Sequence, residues 1–206
     1  DYYNPARMHF GKLRVINDDQ IKAGSGFDMH RHENMEIITF VRSGAITHKD
    51  NKGNEGRTEA GDVQVMSAGT GIFHSEFNME SEETSLFQIW IIPNKKGVEP
   101  RWDAASFSDR KADGKLPLLV SGRESDSGAG ALYIHQNAAI SGGRVEKGQV
   151  ITHPIIDQAY MLISAGEIEI AGQRLKMGDG IEVVDEDSVS FTALSDAEII
   201  LIDVPA

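Results

Sequence analysis

The sequence predicts an all-β protein with two tandem β-barrel domains, and three observations support this prediction. Short runs rich in β-branched and aromatic residues recur at intervals of roughly ten residues, separated by Gly, Asn and Asp turn signals, as in sandwiches and barrels. Helical periodicity is scarce. The two halves also echo each other over a period of roughly 120 residues, which indicates duplicated domains because it is far too long for a solenoid.

The composition excludes several classes of protein. The chain has 206 residues, enough for one large domain or two small ones. A net charge of −12 argues against direct nucleic-acid binding, which needs a basic face, but not against a protein partner. The chain has no cysteine, which excludes thiolate metal ligands and fits a cytoplasmic location. No apolar run approaches the about 18 residues of a membrane span, and the N-terminus lacks a signal-peptide pattern, so we expect no membrane contact.

The predicted strands follow one another in two groups with a different segment between them. The first group reads "KLRVIN", "MEIITFV", "DVQVMSA" and "LFQIWIIP", and the second reads "ALYIHQ", "AYMLIS", "EIEIAG", "IEVV" and "EIILIDV". Residues 93–130 are polar, charged and rich in Gly and Ser, so we expect a connector with a short helical turn over residues 102–107. The turn glycines Gly44 and Gly166 align the two halves.

Two strands carry polar residues at even spacing. The stretch "GFDMHRHENMEIITF" holds His30, His32 and Glu36, and "FHSEF" holds His74 and Glu76. Side chains alternate along a strand, so each set points to one face. Buried imidazoles and carboxylates are costly unless they are paired or bound to a metal. Either pair alone is more often a surface or hydrogen-bonding pair, but together they predict a metal site.

Three imidazoles and one carboxylate form a ligand set suited to Fe, Mn, Co, Ni or Zn. Four protein ligands on an octahedral ion leave two positions for water, substrate or O2, so the predicted site can support catalysis. Parity does not choose between Glu36 and Glu76 as the carboxylate, because both side chains can face inward.

The segments "GSGFDMHRHENMEIITFVRSG" and "GDVQVMSAGTGIFHSEFN" resemble the two cupin motifs, and they are most similar to those of the pirins, a bicupin family that includes quercetin 2,3-dioxygenase-like proteins. The resemblance covers essentially the whole chain and is more specific in the first half. It implies two tandem cupin domains, which are double-stranded β-helix or jelly-roll barrels. Residues 1–115 form the expected N-terminal metal-binding domain with its connector, and residues 116–206 form the C-terminal one. Pirins usually have residues ahead of "DYY", so we expect such residues here.

Departures from the general cupin pattern affect the choice of ligands. Gly44 closes the first motif one residue late, Ser67 stands where proline is common, and His74 lies two residues late. In many cupins the carboxylate ligand stands at the position of Glu36. In pirins it is the Glu two residues after the last His, so the resemblance implies Glu76, with Glu36 left to orient a ligand or to face the substrate.

The implied metal centre therefore consists of His30, His32, His74 and Glu76. It would hold one divalent transition ion, with iron as the first expectation and manganese, cobalt, nickel, zinc and copper as alternatives.

The second half of the chain lacks this set of ligands. The stretch "KGQVITHPIIDQAYML" has only His153, with Ile155 in place of a partner histidine, so we expect a metal-free C-terminal domain that shapes the entrance to the site. His153 is expected to be structural or at the surface, and His48 to be solvated in a polar hairpin turn. Four residues near the motifs are candidates to line an apolar pocket: Phe27, Phe40, Met66 and Phe73.

Some pirins act on quercetin, so the resemblance implies a metal-dependent flavonol 2,3-dioxygenase that uses a small aromatic substrate and O2. Glu76 or Glu36 would accept the proton of the flavonol 3-hydroxyl, and O2 would then cleave the heterocycle with release of carbon monoxide. Other pirins are metal- or redox-responsive partners of proteins, so a regulatory protein without turnover is the alternative. A cupin fold alone does not decide between them.

Overall fold

The computed structural model describes residues 8–206, so the segment "DYYNPAR" lies outside the described residues. Almost every element is a strand, and the sole helical element in the described range is a 3-10 turn over Glu124–Asp126. No helix in that range has the length and apolar character needed to cross a membrane. The predicted all-β class is confirmed.

The chain folds as two compact units. One consists of the residues up to Ser108 with Leu132–Gln136, and the other of Asp109–Ala131 with Asn137–Ala206. The strands of the N-terminal unit are β1 (Leu13–Ile21), β2 (Gly26–His32), β3 (Glu36–Ser43), β4 (Ala45–Asp50), β5 (Glu55–Glu59), β6 (Asp62–Ser67), β7 (Ile72–Phe77), β8 (Thr84–Ile91), β9 (Arg101–Ser106) and β11 (Leu132–Tyr133). Those of the C-terminal unit are β10 (Leu118–Ser121), β12 (Ala139–Val145), β13 (Val150–Pro154), β14 (Gln158–Ala165), β15 (Glu167–Ile170), β16 (Gln173–Lys176), β17 (Gly180–Val183), β18 (Ser188–Ala193) and β19 (Ala197–Val204).

Each unit consists of two antiparallel sheets with the same strand order. The N-terminal sheets are β1-β8-β3-β6-β9 and β2-β7-β4-β5, and the C-terminal unit has β10-β12-β19-β14-β17 and β13-β18-β15-β16. The strands of the two units correspond with an offset of eleven. The order β1-β8-β3-β6 matches β12-β19-β14-β17, and the order β2-β7-β4-β5 matches β13-β18-β15-β16. Gly44 and Gly166 stand at the same turn, between β3 and β4 and between β14 and β15, with φ of 71° and 76°. Such left-handed angles favour glycine, which explains the repeated residue.

The segment predicted as a connector contains ordered strands, and the predicted helical turn over residues 102–107 is wrong. Residues Arg101–Ser106 form β9, which pairs antiparallel with β6 along the edge of the first sheet. Long-range pairing of this kind overrides a weak local preference for a turn. The predicted division into 1–115 and 116–206 stays a prediction, and Leu132–Gln136 belongs to the N-terminal unit.

The interiors of the two units differ in polarity. In the N-terminal unit, one apolar cluster contains Val41 and a second contains Ile37. Thr39 lies between them on β3, and its hydroxyl donates to Glu76 on β7. A polar layer therefore separates the two clusters. The C-terminal interior is a single cluster of seventeen buried apolar residues among those described, including Met161 and Leu201.

Candidate metal centre

Three histidines converge inside the N-terminal unit. His30 and His32 lie on β2 and His74 on β7, and the strand register places His30 opposite His74. One ring nitrogen from each histidine lies within 4.8 Å of the others. The Nε2 atoms of His30 and His74 are 3.1 Å apart. Two nitrogens at right angles about one ion, each about 2.1 Å from it, would be about 3.0 Å apart, so the observed spacing fits shared metal coordination.

The protonation of these rings also fits a metal site. Burial, with the neighbouring charge of His30, lowers the pKa of His74 to about 3 and that of His32 to about 4. Both rings are therefore neutral near pH 7, and each has a lone pair to offer. The Nδ1 of His30 lies 2.7 Å from the carbonyl oxygen of Asp28. A donated Nδ1–H there leaves the Nε2 lone pair directed at the other histidines, as in many metal-bound histidines.

Glu76 is fully buried deeper in the polar layer. Its carboxylate accepts hydrogen bonds from Gln88 Nε2 at 2.8 Å, from Gln64 Nε2 and from Thr39. Burial raises the pKa of Glu76 to about 7, although the hydrogen bonds from Thr39 and Gln64 oppose the rise. Glu76 does not belong to the group of three histidines; among the described residues it forms a second potential ligand group with His48 and His74.

His48 is buried rather than solvated, so its prediction is wrong. Its side chain faces the same interior as Glu76, because β4 pairs with β7 and places the two residues opposite each other. His48 Nε2 lies 3.1 Å from Asp50 Oδ2, and His48 Nδ1 lies 3.5 Å from His74 Nδ1. Asp50, His48 and His74 therefore form a chain that ends at the cluster. The spacing of His48 and Asp50, two residues apart on one strand, is the signal that sequence reasoning missed.

Two tryptophans hold the imidazoles from the side. Trp102 on β9 stacks on His48, with ring centroids 5.0 Å apart and planes 9° apart, and Trp90 meets His32 edge-on at 5.0 Å. A Cβ on Gly56 would come within 2.3 Å of the Trp102 ring, so the stack requires glycine at that position. These contacts restrict the ring orientations that a metal ion needs fixed.

Glu36 lies on the other face of β3. Thr39 and Ile37 face the interior, whereas Glu36 is at the opposite parity and accepts a hydrogen bond from Ser67 Oγ at 2.7 Å. Burial raises the pKa of Glu36 to about 7, against the hydrogen bonds from Ser67 and the backbone of His135. The structure brings Glu36 into neither potential ligand group.

The four apolar candidates divide between the surface and the core. Phe73 is 43% exposed on the outer face of β7, at the opposite parity to His74, and Phe27, which is 37% exposed, lies opposite Glu76 in the strand register. Phe40 and Met66 are buried. Met66 packs in the apolar cluster with Ile37, close to the layer that holds the imidazoles.

The corresponding strand of the C-terminal unit presents a single histidine. His153 on β13 is buried, and its Nδ1 accepts a hydrogen bond from the backbone N–H of Leu116 at 3.3 Å. Burial lowers the pKa of His153 to about 4. Both potential metal groups found among the described residues lie in the N-terminal unit.

Comparison with known proteins agrees with this architecture. Residues 1–91 match the family model described as Pirin. A Pseudomonas aeruginosa protein, provisionally named quercetin 2,3-dioxygenase, is 50% identical over 206 residues, which cover 99% of this chain and 88% of that protein. The chain belongs to the pirin family. Residues 118–204 match the model described as Quercetinase C-terminal cupin domain, so the predicted pair of cupin-type domains is confirmed.

Two further pirin-family relatives come from Escherichia coli. The protein named quercetin 2,3-dioxygenase from strain K12 is 39% identical over 208 residues, covering 100% of this chain and 87% of its own length. The crystal structure of bacterial pirin YhhW in complex with nickel(II) is also 39% identical. It superimposes with a TM-score of 0.89 over 100% of this chain and 87% of that one.

Proposed function

We propose that this pirin-family chain is a metal-dependent dioxygenase that cleaves a flavonol such as quercetin. The observation that carries the proposal is the convergence of three imidazoles, of which His74 is buried and His30 and His32 are half-buried, next to the buried carboxylate of Glu76. Neutral imidazoles with one carboxylate form an intermediate ligand set for divalent transition metals. The similarity to a nickel-bound pirin supports a divalent metal in this fold.

His30, His32 and His74 would hold the ion, with Glu76 as the fourth ligand. Iron is the metal that we propose for this chain, and nickel, manganese, cobalt, zinc and copper are the alternatives for the same donor set. When bound, the ion supplies Lewis acidity to a substrate oxygen. A positive ion beside the buried Glu76 would also lower the pKa of this carboxyl group and favour its ionised form.

Glu76 would act as the proton acceptor for the substrate hydroxyl. The amides of Gln64 and Gln88 fix its carboxylate by donating to both oxygens. Without an ion, burial raises the pKa of Glu76 to about 7, and a bound ion would offset this rise and leave an ionised carboxylate to accept the proton. The flavonol itself is inferred from relatives named quercetin 2,3-dioxygenase.

The test measures oxygen consumption and flavonol loss by the metal-loaded protein, using quercetin and related flavonols with each candidate metal. We expect Glu76→Gln, loaded to the same metal content, to lower turnover by about 100-fold or more, since general-base catalysis contributes about 10²–10⁴-fold. Glu36→Gln is the matched control, because Glu36 is equally buried but faces the other side of β3. Lack of oxygen consumption by wild type with every metal and flavonol would reject the enzyme proposal.

The second candidate function is a metal-responsive partner of another protein. It is favoured by exposed apolar side chains on the strands that carry the histidines, where Phe27, Met29 and Phe73 are 37–53% exposed. Exposed apolar groups close together are a feature of protein-binding surfaces. This candidate takes precedence if the loaded protein binds metal stoichiometrically but consumes no oxygen.

A further inference from the structure

The C-terminal unit contains a cavity of about 600 Å³. Its residues His153 and Asp203 lie on β13 and β19, which correspond in strand order to β2 and β8 of the N-terminal unit. Pockets of about 300–1,000 Å³ are typical of small-molecule sites. The buried residues Ile151 and Leu201, on the same strands, fill the interior beneath it with apolar side chains.

One wall of the cavity presents a hydrogen-bond donor. His153 is neutral near pH 7, and its Nδ1 is occupied as the acceptor for the Leu116 N–H, so the proton resides on Nε2. Within residues 8–206, the structure shows no hydrogen bond from this Nε2–H, although the charge of Asp203 acts on the ring. This Nε2–H is available to a group that enters the cavity.

A second wall presents a buried guanidinium. The Arg123 side chain is 7% exposed, and its Nη2 contacts Asp203 Oδ1 at 2.8 Å and Asp157 Oδ2 at 3.4 Å. Its Nε is buried and has no hydrogen-bond partner among the described residues. Because an unpaired buried donor is energetically costly, an acceptor that reaches Arg123 would be bound favourably.

The side chains that line the cavity carry a small excess of positive charge. Four basic side chains line it against three carboxylates, although the chain as a whole carries a net charge of −12. Two of those carboxylates are already satisfied by the protein. Asp203 accepts the backbone N–H groups of Ile156 at 2.8 Å and Asp157 at 3.2 Å, and Asp126 accepts the Ser121 hydroxyl at 2.6 Å.

We propose that this cavity binds a small organic acid. The carboxylate would take the Arg123 and His153 donors, and an apolar body would lie along Leu116, Pro117 and Ile156. A carboxylate with a ring or short chain fits this combination, because charge-assisted hydrogen bonds fix one end and apolar walls enclose the other. The site is separate from the metal centre and does not depend on the proposed dioxygenase activity.

The test uses benzoate, phenylacetate and 4-hydroxybenzoate as probes, titrated calorimetrically into the full chain with its metal. Ile156 is 65% exposed and contributes to the Asp203 network through its backbone, so its side chain can be changed without removing that network. We expect saturable binding to wild type, weakening by about tenfold or more in Ile156→Glu and tightening in Ile156→Lys, because the added charge repels or attracts the carboxylate. Met177→Glu, at a 63% exposed position outside the cavity, is the matched control and should bind like wild type.

Three results would overturn the proposal. The first is that none of the three acids binds saturably at millimolar concentration. The second is that benzylamine, a cation of similar shape, binds as well as benzoate. The third is that Ile156→Glu binds like wild type while His30→Ala loses binding, which would place the acid at the N-terminal centre.

Discussion

The two units share their strand order and differ in what points into the interior. On β3 the inward residue between the apolar clusters is Thr39, which contacts Glu76, whereas the corresponding strand β14 presents Met161 to a continuous apolar core. On the strands that correspond to one another, β2 presents two histidines and β13 presents His153 followed by Ile155. A few inward positions therefore determine the chemistry of each barrel, while the sheet framework stays the same.

The two interiors also differ in how their buried polar groups are stabilised. Burying a polar group is tolerable when it is hydrogen-bonded, and the buried carboxylate of Glu76 meets this condition through connected amides and a hydroxyl. Gln64 alone receives Thr58 and Trp102 at its oxygen and donates to Glu76 from its nitrogen. In the C-terminal unit the buried pair of Arg123 and Asp203 lies at the cavity, the buried Ser164 hydroxyl donates to Glu198, and the interior cluster is apolar.

The largest effect that we expect separates the two units by metal content. His30→Ala/His74→Ala should lose the ion completely, because two of three converging imidazoles are removed. His153→Ala should retain the wild-type stoichiometry. Metal analysis by plasma mass spectrometry on folded, dialysed protein measures both. Wild-type metal content in the double variant would refute the assigned ligands.

The second prediction compares the contribution to stability of a buried ion pair in the C-terminal unit with that of an exposed ion pair in the N-terminal unit. Asp203→Ala leaves the guanidinium of Arg123 buried without its 2.8 Å partner, so we expect a loss of about 3–5 kcal/mol in the free energy of unfolding. The control is Asp103→Ala, which removes an exposed partner of Arg101 and should cost less than about 1 kcal/mol. Denaturant unfolding of both variants provides the measurement, and equal losses would contradict the role given to the Arg123 pair.

The third prediction concerns the pH dependence of stability. In the folded protein, burial holds the pKa of His153 at about 4, below its ordinary value of 6.5. The unfolded chain therefore binds the proton first, and the contribution of His153 is complete above pH 6.5 and is lost as the pH falls toward 4. The loss amounts to about 3 kcal/mol, from about 1.4 kcal/mol per pH unit.

His153→Gln should remove this part of the pH dependence, since Gln cannot titrate. The measurement is the difference in unfolding free energy between wild type and variant at several pH values from 7 to 4. Other groups cancel in that difference. If the two pH profiles run parallel, His153 is not held neutral by the fold.

The metal-site histidines are predictable from the sequence because polar residues two positions apart on one strand share a face. His30, His32 and His74 each stand at strand positions that such a period identifies. The register that brings His30 opposite His74 was not predictable, because it depends on an irregularity between Phe27 and His30. Pairing between distant strands sets such registers, and local patterns do not encode them.

The two errors have the same physical origin. The polar turn after His48 predicts a solvated side chain, yet its strand pairs with β7 and turns the side chain inward. The polar segment around Trp102 predicts a helical turn, yet pairing with β6 makes Trp102 part of a strand. In both cases a partner far along the chain determined burial, so a local reading of polarity gave the wrong environment.

The smallest effect that we expect arises from the chain of contacts behind His74. Asp50 Oδ1 accepts the backbone N–H groups of Lys52 at 2.8 Å and Asn54 at 3.0 Å, and its Oδ2 accepts the Asn54 side-chain amide at 2.8 Å. Burial alone would raise the pKa of Asp50, but these bonds and the one from His48 lower it, so the group is ionised.

An ionised Asp50 makes His48 donate from Nε2, which leaves the His48 Nδ1 lone pair facing His74 Nδ1 at 3.5 Å. His74 then carries its proton on Nδ1, and its Nε2 lone pair faces His30. Asp50→Asn replaces an acceptor oxygen with an NH2 group, although every group around Asp50 donates to it. At least one of these hydrogen bonds is therefore lost, and the preference of His74 for the tautomer with its proton on Nδ1 becomes smaller.

We therefore expect Asp50→Asn to weaken metal affinity by about 10–100-fold while the three ligating imidazoles remain. Lys49→Gln is the control, because Lys49 is on the same strand but its side chain is 63% exposed and points outward. Competition with a chelator measures the affinity of each protein, and thermal unfolding of the metal-free forms separates a loss of affinity from a loss of fold. Equal metal affinities in Asp50→Asn and wild type would show that the three histidines hold the ion without support from β4. The two barrels would then differ in metal binding only through the histidines themselves.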